Sequence, residues 1–308
     1  MTTQQQDRVQ FDAESDFKAE ALGPATLNWS QTWRLHSKII GQDFLIEGSY
    51  PPVAPAPGEK FPAVFVLDGN QTFGMTAGLA RAVQSGPFPL PPTLVIGIGY
   101  HFERPEEMRE AGRLRIRDFT PCSDALYEQQ YAGTLVATGG ADDFLAFIET
   151  ELKPFLAGRL PIDLNDTTLA GTSLGGFFSL YAMLKATGAF RRHIAISPAI
   201  YWGGGKLFEM EAALAEQAQD LPVALHLAAG GLEEGHDPRS GLVSNTYQME
   251  ARLRRRRYPG LELSLRVHEG ETHMSVFPGA MTWGLGQVFG GYRDMSDWER
   301  WLANLRAA

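Results

Sequence analysis

Short apolar runs alternate with segments of helical period along most of this chain. Residues 63–67, 93–97, 167–170, 192–197, 223–229 and 261–267 are mostly apolar, with the length of strands buried on both faces. Between them, residues 73–84, 175–185, 207–217, 243–256 and 275–288 read as helices. Residues 142–155 place Phe144, Phe147, Ile148, Leu152 and Phe155 on one helical face. A last helix is predicted over residues 297–305. Strands that alternate with helices build a parallel sheet covered on both sides. Upstream, residues 32–37 and 43–49 flank Ile40-Gly41-Gln42 and read as a hairpin. The predicted sheet is therefore mostly parallel, with an antiparallel N-terminal edge. Residues 1–27 read as a polar lead-in and 28–308 as one α/β domain. The stretch 100–140 has no clear period and reads as a long irregular insertion after a strand. Loops of that size in a compact domain usually serve a site.

Charge narrows the partners. The 308 residues carry 27 basic and 36 acidic side chains, a net charge of -9. That balance argues against nucleic acid or an anionic membrane as a partner. The run Arg254 to Arg257 reads as a solvated helix end, with cations at the negative end of the dipole and Pro259-Gly260 stopping the helix. Cys122 is the only cysteine, so no disulfide framework or CxxC pair exists, and no HExxH is present. No metal or organic cofactor is called for. The opening residues lack the apolar run of a signal peptide, and no stretch has the length of a membrane helix. A cytoplasmic protein is expected.

One segment carries chemistry. Gly171-Thr172-Ser173-Leu174-Gly175 is a GxSxG between a predicted strand and a predicted helix. In that context the serine sits on a tight strained turn, its hydroxyl above the sheet, and side chains at the flanking glycines would clash. The following helix aims its first amides at the place where negative charge develops. A hydroxyl needs a base to remove its proton. In this architecture the order along the chain is serine, acid, histidine. His36, His101, His193, His226 and His236 lie in or beside the wrong elements, which leaves His268 and His273. His273, in the loop after the last sheet strand, is the expected base, with His268 as its rival. The acid should follow the preceding strand. Glu233 is the first carboxylate there, with Glu234 and Asp237 as alternatives. Two backbone amides should bind the oxyanion: Leu174, and a residue of the turn Asp68-Gly69-Asn70, placed at Asn70 with Gly69 next.

The segments VFVLDGN, LAGTSLGGFFSLYAML, ISPAIYWGGG, LAAGGLEEG and HEGETHMSVFPGAM resemble the esterase D superfamily of the α/β-hydrolase fold. Within it, the chain is most similar to salmochelin and enterobactin esterases of the IroE and Fes type. The resemblance runs over about residues 32–289. It implies hydrolysis of a small-molecule ester or lactone through an acyl-enzyme, without a metal or organic cofactor. It carries the nucleophile onto Ser173 and the base onto His273, and it supports Glu233 as the acid. Some siderophore esterases resemble a Ser-His dyad instead. The segment Arg117-Asp118-Phe119-Thr120-Pro121 matches a family feature near the site, so Arg117 is expected to bind substrate, with Trp202 lining the pocket. Arg113, Arg115 and Arg117 would suit an anionic siderophore, and equally an exposed strand with alternating arginines. Phe119 and Tyr127 would suit an apolar or aromatic body. Two other readings stand beside hydrolysis: an acyltransferase of the same superfamily, and a non-catalytic hydrolase-like binding protein, against which the pair Ser173 and His273 argues.

Overall fold

Alternation within each strand decides which layer a side chain joins. In the strand Phe61–Leu67, Ala63, Phe65 and Leu67 enter one core, while Val64 and Val66 enter the other. Covering both faces is what makes the central strands continuously apolar. The computed structural model describes residues 26–84, 90–125, 127 and 137–290. Among these, eight strands form one sheet: β1 (Ser30–Ser37), β2 (Gln42–Ser49), β3 (Phe61–Leu67), β4 (Leu94–Tyr100), β5 (Ile162–Thr172), β6 (Arg192–Ile196), β7 (Ala224–Gly230) and β8 (Glu262–His268). Their order is β1-β2-β4-β3-β5-β6-β7-β8. β1 and β2 form the expected antiparallel hairpin, β2 also pairs antiparallel with β4, and every other pairing is parallel.

Helices α1 (Gly69–Gln84) and α9 (Phe277–Val288) cover the face that holds Val64 and Val66. The opposite face is covered by α2 (Ala111–Phe119), α3 (Ala141–Phe147), α4 (Lys153–Ala157), α5 (Leu174–Lys185), α6 (Trp202–Gln217) and α8 (Leu242–Arg256). A four-residue helix, α7 (Glu233–His236), follows β7. The helix predicted over 142–155 is present, with a π turn at Ile148–Leu152. That turn precedes Pro154, whose missing N–H cannot close an ordinary helical bond.

Two expectations change. The stretch 100–140 is not irregular throughout, because a 3-10 turn (Pro105–Glu110) leads straight into α2. The alternation Arg113, Leu114, Arg115, Ile116, Arg117 imitates a strand, yet on a helix residues two apart diverge by about 200°. The three arginines therefore separate: Arg113 reaches Glu110, Arg115 reaches Asp68 and Arg117 reaches Asp118. Second, β5 is longer than residues 167–170 and begins at Ile162. The helix predicted over 207–217 is present: α6 opens with Gly203, Gly204 and Gly205 all left-handed, at φ 63°, 68° and 88°, so its regular part begins after them. The run at the end of α8 disperses into local pairs, with Arg254 on Glu250 and Arg256 forked onto the buried Glu211 of α6. The helix predicted over 297–305 and most of the lead-in 1–27 lie outside the described residues. No helix among the described residues is long and apolar enough to cross a membrane.

Candidate active site

β5 ends at Thr172 and α5 begins at Leu174, so Ser173 alone makes the turn between them. Its φ of 57° and ψ of -120° lie where a residue with a side chain is strained. The surroundings hold it there. Its N–H donates to the Ile196 carbonyl at 2.9 Å, and its own carbonyl accepts from Phe177 at 2.9 Å and Ala199 at 3.1 Å. A Cβ on Gly171 would lie 2.5 Å from the Gly175 carbonyl carbon, and one on Gly176 would lie 2.8 Å from the Ile196 oxygen. A Cβ on Gly175 would meet only side chains, the Asp68 carboxylate at 3.3 Å and the Leu67 Cβ at 3.4 Å. The steric need thus falls on Gly171 and on Gly176, one residue beyond the motif.

The acid and base follow β7 and β8, the last two strands of the sheet. Glu233 opens α7 after β7 and is buried, while His273 lies in the turn after β8 with its side chain 35% exposed. His273 Nδ1 and Glu233 Oε2 are 3.2 Å apart. The other carboxylate oxygen, Oε1, accepts from the Ser197 hydroxyl at 2.5 Å and the Gly230 amide at 2.7 Å. Burial alone would raise the Glu233 pKa, but the hydrogen bonds from His273, Ser197 and Gly230 outweigh it and hold it below 4.5. Glu234 instead accepts from the Ser244 amide at 2.7 Å, and Asp237 lies near Arg239. His268 is the last residue of β8; its Nε2 is buried without a hydrogen-bond partner, and burial lowers its pKa.

Ser173, His273 and Asn70 line one cleft of about 360 Å³. Asn70 is the second residue of α1, so its N–H has no acceptor within the helix. Its side chain is spent on the end of β4, donating to the Tyr100 carbonyl at 2.9 Å and accepting from the Tyr100 amide at 2.7 Å. That leaves the Asn70 backbone N–H, like that of Leu174 at the start of α5, for a ligand. Gly69 packs on β4, where a Cβ would lie 2.8 Å from the Ile98 nitrogen. Asp68, at φ 57°, completes the turn and grips Arg115 of α2 through two bonds of 2.7 and 2.9 Å. Burial would lower the Arg115 pKa; the Asp68 charge reverses this. Arg115 lines the cleft, and three exposed methionines, Met75, Met108 and Met274, stand around it.

Two residues expected to touch substrate are elsewhere. Arg117 turns away and forks onto the buried Asp118 at 2.6 and 3.0 Å. Trp202 is a core aromatic: its indole donates to the Cys122 carbonyl at 2.8 Å and its ring lies 5.2 Å from that of Tyr127. Phe119 is likewise buried in the core. Sequence reasoning missed Asp68, Ser197 and the methionine rim, and gave Arg115 no precedence over its neighbours. Asp68 was visible only as the residue that ends a strand before the expected oxyanion turn.

A mostly parallel sheet flanked by helices, with a strained serine between β5 and α5, defines an α/β-hydrolase. The family model described as "Putative esterase" matches residues 37–282, and the chain belongs to that family. Ferri-bacillibactin esterase BesA of Bacillus subtilis is 31% identical over 233 residues, covering 74% of this chain and 78% of that protein. The crystal structure of BES protein from Bacillus cereus matches with a TM-score of 0.75 at 28% identity, covering 88% of this chain and 99% of that one. Siderophore hydrolase EstA from Aspergillus nidulans matches in fold, with a TM-score of 0.77 at 22% identity over 90% and 99% of the two chains. The chain is a serine hydrolase that cleaves carboxylic esters.

Proposed function

We propose that Ser173, His273 and Glu233 form the catalytic triad and that the ester belongs to a siderophore. The observation that carries the triad is the 3.2 Å contact of His273 with Glu233 beside the cleft that Ser173 lines. Glu233 accepts the Nδ1 proton of His273, which leaves Nε2 free to act as a base. As Ser173 Oγ attacks the ester carbonyl carbon, its proton passes to Nε2. The carbonyl oxygen becomes an anion held by the N–H groups of Leu174 and Asn70. Collapse breaks the C–O bond, and Nε2 returns the proton to the departing alcohol. Water, deprotonated by the same nitrogen, then releases the acid and restores Ser173.

Loss of the acid should cost less than loss of the serine, because orientation is part of catalysis and not all of it. Glu233→Gln is expected to lower kcat on the order of ten-thousand-fold, since an amide facing Nδ1 favours the wrong tautomer. Steady-state kinetics of Glu233→Gln, Glu234→Gln and Asp237→Asn check this. A fully active Glu233→Gln would move the role to another carboxylate, or leave a Ser-His dyad.

The siderophore reading rests on relatives described as siderophore esterases and on Arg115. Asp68 engages Nε and Nη2, so Nη1 is the donor left for an anionic substrate oxygen. The methionine rim offers soft apolar contact to an aromatic body. For a siderophore lactone, Arg115→Gln should lower kcat/KM by about ten- to a hundredfold, the worth of one hydrogen bond to a charged group. A neutral short-chain ester should lose much less, and Arg117→Gln should leave both unchanged. If short neutral esters win by a wide margin and Arg115→Gln spares the lactone, the enzyme is a general carboxylesterase. The proposed compartment is the cytoplasm, where a lone thiol such as Cys122 stays reduced.

A further inference from the structure

Ser197 stands where the sheet delivers neither nucleophile, base nor acid, yet it is fully buried and strained. It follows β6, the strand between those that lead to Ser173 and to Glu233. Its φ is 45°, a conformation that glycine adopts freely and a serine adopts at a cost. Its N–H donates to the Ala228 carbonyl of β7 at 2.7 Å, which fixes the turn against the neighbouring strand. A serine kept in that conformation points to a use for its side chain, and its hydroxyl donates to Glu233 Oε1 at 2.5 Å.

The donor count at Glu233 is informative. Oε1 receives the Ser197 O–H and the Gly230 N–H, both of them donors, so that oxygen acts only as an acceptor. A Cβ on Gly230 would lie 2.8 Å from Oε1 and 2.6 Å from the Glu271 carbonyl, so the loop closes onto the carboxylate only with glycine there. With Oε1 clamped at two points, the carboxyl group cannot rotate, and Oε2 is left facing His273. The neighbouring carboxylates are engaged elsewhere: Glu234 is turned to Ser244, Glu271 to Ser275, and Asp237 lies near Arg239.

We infer that Ser197 is a positioning residue for the hydrolysis, its hydroxyl holding Glu233 oriented so that His273 keeps its proton on Nδ1. This rests on the triad proposed above. It assigns Ser197 no contact with substrate. Its effect passes through Glu233 to the imidazole, as the supports of other catalytic groups do.

The decisive variant is Ser197→Gly, because glycine accepts a φ of 45° while the hydroxyl is removed together with its Cβ. It should lower kcat by about ten- to a hundredfold with KM nearly unchanged. On a Glu233→Gln background the same change should cost less than about threefold, since Ser197 then has no carboxylate to hold. A Ser197→Gly enzyme with wild-type kcat overturns the role. So does a loss that repeats in full on the Glu233→Gln background, which would mark Ser197 as a structural residue. If Glu233→Gln is itself fully active, the triad falls and takes this role with it. If Glu233→Gln is crippled while Ser197→Gly is not, the triad stands and only the role of Ser197 is lost.

Discussion

Ser173→Ala is expected to lower kcat on the order of a million-fold while leaving the fold unchanged. Without Oγ there is no acyl-enzyme, and the base and the amides have only water to work with. What should survive is the catalysis supplied by substrate binding and by the proposed oxyanion donors, the Leu174 and Asn70 N–H groups. The fold should hold because alanine presents the same Cβ at the same φ of 57°, so the strain and the bonds to Ile196, Phe177 and Ala199 are common to both proteins. Turnover of a chromogenic ester beside a thermal melt measures both halves. An alanine variant with a tenth of wild-type turnover would mean that another group attacks the ester.

His273→Ala should lose on the order of ten-thousand- to a million-fold in kcat, and His268→Ala should be mild. The two histidines differ in partner and in place. His273 faces Glu233 and lines the cleft, while His268 ends β8 with Nε2 buried and unpartnered. In the wild type, kcat/KM should rise with pH through one ionisation, since the imidazole must be neutral to take the serine proton. That limb belongs to the imidazole and not to Glu233. The Glu233 pKa is depressed below 4.5, so the carboxylate stays charged as pH falls, and its contribution to stability is lost only below that value. A damaging His268→Ala with a mild His273→Ala would make His268 the base.

Much of the layout was legible because each strand of the parallel half is a short apolar run that periodicity isolates. Once the runs are ordered, the ends of β5, β7 and β8 follow, and with them the places of Ser173, Glu233 and His273. The arginine segment misled for a physical reason. Arg113, Arg115 and Arg117 alternate with Leu114 and Ile116, a period of two that reads as a strand, while α2 is held by the docking of Ile116 and Phe119 in the core and of Arg115 on Asp68. Those are tertiary contacts, and they override local pattern. Trp202 misled in a similar way: three left-handed glycines follow it, and the chain turns its indole to Cys122 rather than to the cleft. The roles of Ser197 and Asp68 were not legible, although Asp68 marked the end of a strand, since a positive φ on a non-glycine residue becomes visible only when the neighbouring strands are in place. Glu233 itself was one of three carboxylates in its loop, and no pattern in one sequence says which of them a hydroxyl and an amide will clamp.

The most direct test of the account is covalent. A serine-directed fluorophosphonate reacts by the same attack as an ester, and it leaves the phosphonyl group on the nucleophile as fluoride departs. Intact-mass spectrometry followed by peptide mapping should find one adduct, on Ser173, formed as esterase activity disappears. It should be absent from Ser173→Ala and slow to form in His273→Ala. A protein that loses activity with the label on another residue, or that keeps its activity with Ser173 fully labelled, would contradict the assignment of Ser173 as the nucleophile.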